Sequence, residues 1–149
     1  MMTRKQHVDY WLYSASENMK DMRTAIKGKR RTMAMFCGHL ALEKMLKGLC
    51  AVRNIAVWRE HELVKLARKS GLDATLSPEQ RNELSIISSF NIAARYDDTK
   101  MRFHETCTPK FVSTWSKKIA GWYKYLKPLI LQERAALPNN VLDTQELIK

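Results

Sequence analysis

Glycine and proline are scarce in this chain of 149 residues, five and four respectively. So few breakers argue against a loop-rich β-sandwich and favour helices. The Asn-Gly and Asp-Gly pairs that mark tight hairpins are absent, and no stretch sustains period-two alternation. No apolar run approaches the roughly 20 residues of a membrane span. The three cysteines, Cys37, Cys50 and Cys107, include no C-x-x-C, and the opening residues carry no apolar stretch with a small-residue cleavage site. That pattern predicts reduced thiols in a cytoplasmic protein without a membrane segment.

Motif absences narrow the chemistry. Neither G-x-x-x-x-G-K-[ST] nor G-x-G-x-x-G occurs, nor G-x-S-x-G, nor H-E-x-x-H. His61-Glu62 lacks the second histidine of a zinc protease helix. Cys37 and His39 would point about 200° apart on one helix, so they do not form a zinc pair. No metal and no cofactor are expected.

What is abundant is positive charge. Lys and Arg total 26 against 15 Asp and Glu, a net charge of +11. The first 75 residues hold 15 basic and 7 acidic residues, the remainder 11 and 8. Lys27, Lys29, Arg30 and Arg31 form the sharpest cluster. Such a field attracts phosphate polyanions, although a solvated, soluble surface has the same composition.

Apolar periodicity predicts five helices. The first spans about residues 4–27, with Val8, Leu12, Ala15, Met19, Met22 and Ile26 on one narrow stripe and Gly28 closing it. The second, about 32–53, is apolar over a wide arc that includes Met33, Phe36, Leu42, Leu46 and Leu49. Its polar strip holds His39, Glu43, Lys44 and Lys47. A stripe of mostly small residues, among them Ala34, Ala41 and Gly48, lets another backbone approach, so this is the expected central helix. A short third helix runs from about His61 to Lys69, with Gly71 as its stop. Ser77-Pro78-Glu79-Gln80 is a capping box that opens the fourth. Residues 95–108 read as irregular. Thr108-Pro109 opens the fifth, with Val112, Trp115, Ile119, Trp122, Leu126 and Leu129 in step and Pro128 weakening its last turn. The result is an all-α antiparallel bundle, four longer helices plus a short one. It fills residues 1–133, and a C-terminal tail, 134–149, either frays or docks on a neighbouring chain through Leu137, Val141, Leu147 and Ile148. The apolar stripes exceed what one small bundle must bury, which predicts a homodimer using a second-helix or fifth-helix face.

Three strings stand out in order. They are Ala41-Leu42-Glu43-Lys44-Met45-Leu46-Lys47, His61-Glu62-Leu63-Val64-Lys65-Leu66 and Ala94-Arg95-Tyr96-Asp97-Asp98. Together they resemble the A-x-E-K-x-x-K, H-x-L-x-x-L and A-R-Y-P-D patterns of the HEPN superfamily (higher eukaryote and prokaryote nucleotide-binding), over about residues 5–130. The proline of the third pattern is Asp97 here. The resemblance implies a dimeric helical bundle that binds nucleotide or nucleic acid, often beside a minimal nucleotidyltransferase partner in a toxin–antitoxin or defence module. On it, the nucleotide or phosphate site comprises Arg95, Tyr96, Lys44, Lys47 and His61. Arg95 binds phosphate, Tyr96 stacks or hydrogen-bonds, and Asp97 and Asp98 orient the basic groups. Lys27, Lys29, Arg30 and Arg31 form a nucleic-acid patch.

Each of these residues also has an ordinary reading. Glu43, Lys44 and Lys47 form a solvated helix face, His61 caps its helix, Arg95 pairs locally with Asp97 or Asp98, and Trp11, Trp115 and Trp122 belong to core or interface. Two other functions compete. One is a metal-independent ribonuclease toxin using Arg95 or Arg102 with His104. Nuclease branches of the superfamily separate Arg and His by four to six residues, whereas eight separate Arg95 from His104. The other is a purely structural partner subunit.

Overall fold

The computed structural model describes residues 2–57, 59–95 and 97–142, without the side chains of residues 97–99. Six α-helices follow one another: α1 (Arg4–Lys27), α2 (Arg31–Val52), α3 (Leu63–Ser70), α4 (Pro78–Ala93), α5 (Asp97–Thr106) and α6 (Pro109–Ala135). A short 3-10 turn, Leu72–Thr75, joins α3 to α4. Tyr96, Leu147 and Ile148 lie outside the described residues, as do the side chains of Asp97 and Asp98.

Helix starts follow local chemistry. Ser77 caps α4 as expected: its Oγ accepts from the Gln80 N–H at 3.1 Å, and Gln80 Oε1 accepts from the Ser77 N–H at 2.8 Å. Thr3 and Gln6 form the same reciprocal pair at the start of α1. Thr108 caps α6 by accepting from the Phe111 N–H at 3.2 Å.

The end of α1 departs from the expected glycine stop. Gly28 has an ordinary φ of −82°, and Lys29 takes the left-handed conformation at φ 59°. The Lys29 N–H donates to the Ile26 carbonyl at 3.1 Å and the Arg30 N–H to that of Ala25 at 2.8 Å. These bonds make a Schellman motif whose left-handed position, normally glycine, is a lysine. An L-residue held there costs roughly 1 kcal/mol. Asn54 ends α2 in the same way at φ 59°, a conformation that asparagine tolerates better. Gly71, at φ 87°, ends α3 as expected.

α2 is the central helix. It packs against α1, α3, α4, α5 and α6. Ala34, Met35, Ala41, Leu42, Met45, Leu46 and Leu49 are fully buried on it. Most of the expected apolar arc is therefore covered inside one protomer; Phe36 and Leu40 are half-buried and Met33 stays exposed. Val8, Ala15, Met19 and Met22 of α1 are buried against it, as are Val112, Ile119, Trp122 and Leu126 of α6. Gly38 marks a close approach, because an added Cβ would stand 2.6 Å from Ile119 Cδ1 and 2.9 Å from Met22 Sδ. Pro128 sits on the exposed side of α6, and the helix continues through it to Ala135.

The stretch expected to be irregular is the helix α5. Its weak amphipathic pattern is outweighed by burial: Phe103 and Cys107 are inside, and Phe103 lies 5.4 Å from Phe90, ring centre to ring centre. Phe90 also meets Phe111 and Trp115, each at 5.9 Å, joining α4, α5 and α6 through aromatic edges.

After α6 the described part of the tail returns along α1 of its own chain. The Arg4 N–H donates to the Val141 carbonyl at 2.8 Å, and Lys5 Nζ donates to Asn139 Oδ1 at 2.7 Å. Arg134 grips Asp9 with two bonds of 2.6 and 2.7 Å.

Arg53 ties three elements together at one end of the bundle. It donates twice to Glu133 of α6, at 2.9 and 2.8 Å, and once to the Ser70 carbonyl that ends α3, at 2.6 Å. Bidentate geometry and partial burial place it above an ordinary surface pair. Arg53→Ala is expected to lower the unfolding free energy by about 1–2 kcal/mol in urea titration, leaving the helical circular-dichroism spectrum intact.

Candidate functional site

The sequence pattern puts His39, Glu43 and Lys47 at successive four-residue steps, hence on one stripe of α2. That stripe is not solvated as expected: the three residues are 0%, 5% and 8% exposed. Buried charge needs partners, and it has them. Lys47 Nζ donates to Glu43 Oε2 at 3.1 Å, and its ammonium stands 5.4 Å above the Trp11 ring of α1. His61 Nδ1 bonds the same Glu43 oxygen at 3.3 Å. His39 Nε2 lies 3.2 Å from the His61 carbonyl and 3.8 Å from Glu43 Oε1.

His39 therefore donates from Nε2 to a carbonyl, and its Nδ1 is buried with no hydrogen-bond partner. Burial lowers its proton affinity below the usual histidine range; the Glu43 carboxylate opposes this and the Arg95 charge adds to it. The imidazole is neutral at pH 7. The loop from α2 to α3 is fastened at His61, and the first N–H of α3, that of Leu63, donates to Ser88 of α4 at 3.0 Å. Glu43, bonded to both Lys47 and His61, links α2 to the loop that follows it.

The structure thus brings Lys47 and His61 together on Glu43, with Arg95 within electrostatic range of His39. Arg95 itself is exposed at the end of α4, where its Nε donates to the Asn91 carbonyl at 3.3 Å. Lys44, half-buried, lies on the side of α2 within electrostatic range of Asp21 and Cys37, and burial lowers its pKa. Glu43 and His39 were visible in the sequence as a polar strip; the four-residue spacing carried the pair, but not its burial.

The remaining candidates gather at the N-terminal end of α2 and on α5. Lys27, Lys29 and Arg30 are exposed at the α1–α2 turn and Arg31 is half-buried. Beside them a cavity of about 500 Å³ is lined, among the described residues, by Thr32, Lys100, Met101 and His104. Arg102 and His104 are two residues apart on α5, so their side chains leave it about 200° apart. Trp115 and Trp122 serve the core as expected, the indole N–H of Trp122 donating to Glu83 at 3.2 Å. All three thiols are buried, and burial raises their pKa, Cys50 up to about 12 and Cys107 to about 11.

Two outcomes are expected from urea unfolding. Lys47→Met leaves Glu43 buried with half its compensation and costs about 3–5 kcal/mol. His61→Ala, at a residue whose side chain is 57% exposed, costs about 1 kcal/mol. The depressed pKa of His39 sets a pH dependence. The stability its neutral form contributes is complete above the ordinary value of 6.5 and is lost as pH falls through the lower folded value. Wild-type protein should lose stability as pH falls below about 6.5, and His39→Gln should lose less.

Among the described residues, no helix is long and apolar enough to cross a membrane. No curated protein and no solved structure matches this chain at a significant level. A family model does, the HEPN domain, over residues 8–120. That span holds all three sequence strings and most of the bundle, and the chain belongs to the HEPN domain family.

Proposed function

We propose that this protein is a nucleotide- or RNA-associated HEPN module that acts by binding rather than by cleavage, working with a minimal nucleotidyltransferase partner in a toxin–antitoxin or defence setting. The observation that carries the binding reading is α5. Cleavage without metal needs a general acid or base and a cation converging on one phosphate. Arg95 precedes α5 and His104 lies near its far end, with about 10 Å of helix axis between Asp97 and His104. Arg102 and His104 leave opposite sides of the same helix. The basic turn and Arg95 supply positive charge for phosphate without that convergence. Homodimer formation remains part of the reading, through the exposed apolar side chains of α1 and α6: Tyr10, Tyr13, Tyr125 and Leu131.

Incubation with RNA in chelator is expected to give no cleavage above background, unaltered by His104→Ala. Cleavage abolished by either His104→Ala or Arg95→Ala would establish the ribonuclease instead. RNA binding followed by fluorescence anisotropy should weaken steeply as salt rises, because released counterions set the slope. Sedimentation at micromolar concentration should show a dimer; a stable monomer removes the dimeric part of the reading.

A further inference from the structure

We propose that the α1–α2 turn and the cavity beside α5 form one surface for single-stranded nucleic acid, with backbone phosphates on the turn and one base in the cavity. The proposal rests on the binding reading above and places the contact away from the buried Glu43 cluster.

The turn has the charge for it. Between Asp21 and Glu43 the chain carries five Lys or Arg residues and no Asp or Glu. It also carries a strained lysine. Lys29 occupies the left-handed position at φ 59°, while the neighbouring Gly28 sits at an ordinary −82°. An ammonium thus stands at the left-handed position that closes α1, a conformation that Arg59 also takes at φ 62°. Backbone strain of this kind marks candidate ligand sites.

Turn and cavity are contiguous. Thr32, on the cavity wall, directly follows Arg31, and the Arg31 charge reaches Cys107 just beyond α5. The wall combines a thioether, an imidazole and an ammonium, from Met101, His104 and Lys100. Met101 is 67% exposed, and the side chain of Met33, next to Thr32, is 53% exposed. A polarisable apolar surface beside an imidazole accepts the flat face of a base, and the flanking cations follow the backbone. A duplex keeps its bases paired and would leave the cavity unused. An acidic protein would match the charge but not the cavity.

The test is fluorescence anisotropy at low salt with a labelled oligouridine, compared with an RNA duplex of the same length and with polyglutamate as competitor. Wild-type protein should prefer the single strand, and polyglutamate should displace it poorly. Lys29→Gly should unfold at the same or a higher temperature than wild type, yet bind more weakly and lower the salt slope by about one unit. Met101→Ala and His104→Ala should each weaken single-strand binding by roughly fivefold or more, with little change for the duplex. Lys124→Ala, on the exposed side of α6, should change neither. If wild type binds and the Lys29, Met101 and His104 variants bind equally well, this location is wrong and the binding reading survives. If wild type fails to bind RNA at low salt, this proposal and the RNA part of the binding reading both fail. Preference for polyglutamate over RNA would assign the surface to an acidic protein and overturn the proposal.

Discussion

Burial of α2 on nearly every side is the constraint on which the rest of the structure depends. A helix so enclosed has no water to receive its polar side chains, so each must find a partner inside the protein. Glu43 resolves this by accepting from Lys47 on its own helix and from His61 on the following loop. Lys47 is capped by the Trp11 ring, and His39 reaches the His61 carbonyl. The loop out of α2 is thereby anchored, and the direction in which α3 leaves is set. A charged network in a low-dielectric interior is costly when incomplete, so these residues act as a unit. The remaining open valence, Nδ1 of His39, is the point at which the network is least satisfied.

Two regions of the molecule have therefore taken different tasks. The buried strip fastens the α2–α3 connection to α2. The exposed end, from Lys27 to Arg31 and across to α5, keeps its charges in solvent. The strain at Lys29 belongs to the second region, and the orphaned nitrogen of His39 to the first. Both are departures from local stability rules, but they have different physical meanings. A buried unpaired acceptor penalises the folded state wherever it occurs. A lysine in a glycine conformation carries a similar small cost, here offset by the two hydrogen bonds that close α1.

The motif strings take on a physical sense in this light. In the A-x-E-K-x-x-K pattern, the glutamate and the last lysine are the buried pair, and the first lysine faces towards α1. The histidine of the second string is the group that closes the network across the loop. Of the five residues of the expected nucleotide site, Lys47 and His61 thus belong to this internal cluster, Lys44 lies beside it on α2, and Arg95 stands at its margin. Side chains open to solvent are found at the α1–α2 turn, which the strings do not cover, and on α5, which the third string only enters.

Apolar periodicity alone determined the long helices. The stripes on α1 and α6, the wide arc of α2 and the Ser77–Gln80 capping box are local patterns, and local hydrogen bonding and amphipathicity are enough to specify them. Charge composition likewise marked the basic turn without any fold. What periodicity could not decide was whatever depends on neighbours distant in sequence. Whether Glu43 and Lys47 meet water is settled by Trp11 and His61, which arrive from other elements. Residues 97–106 became a helix because Phe90, from α4, buries Phe103. Most of the arc of α2 is covered by five other helices of the same chain, while Met33, Phe36 and Leu40 keep some exposure. A one-dimensional pattern records which side chains are apolar or charged; only packing decides which of them lose their water, and that loss separates a solvated helix face from a buried strut.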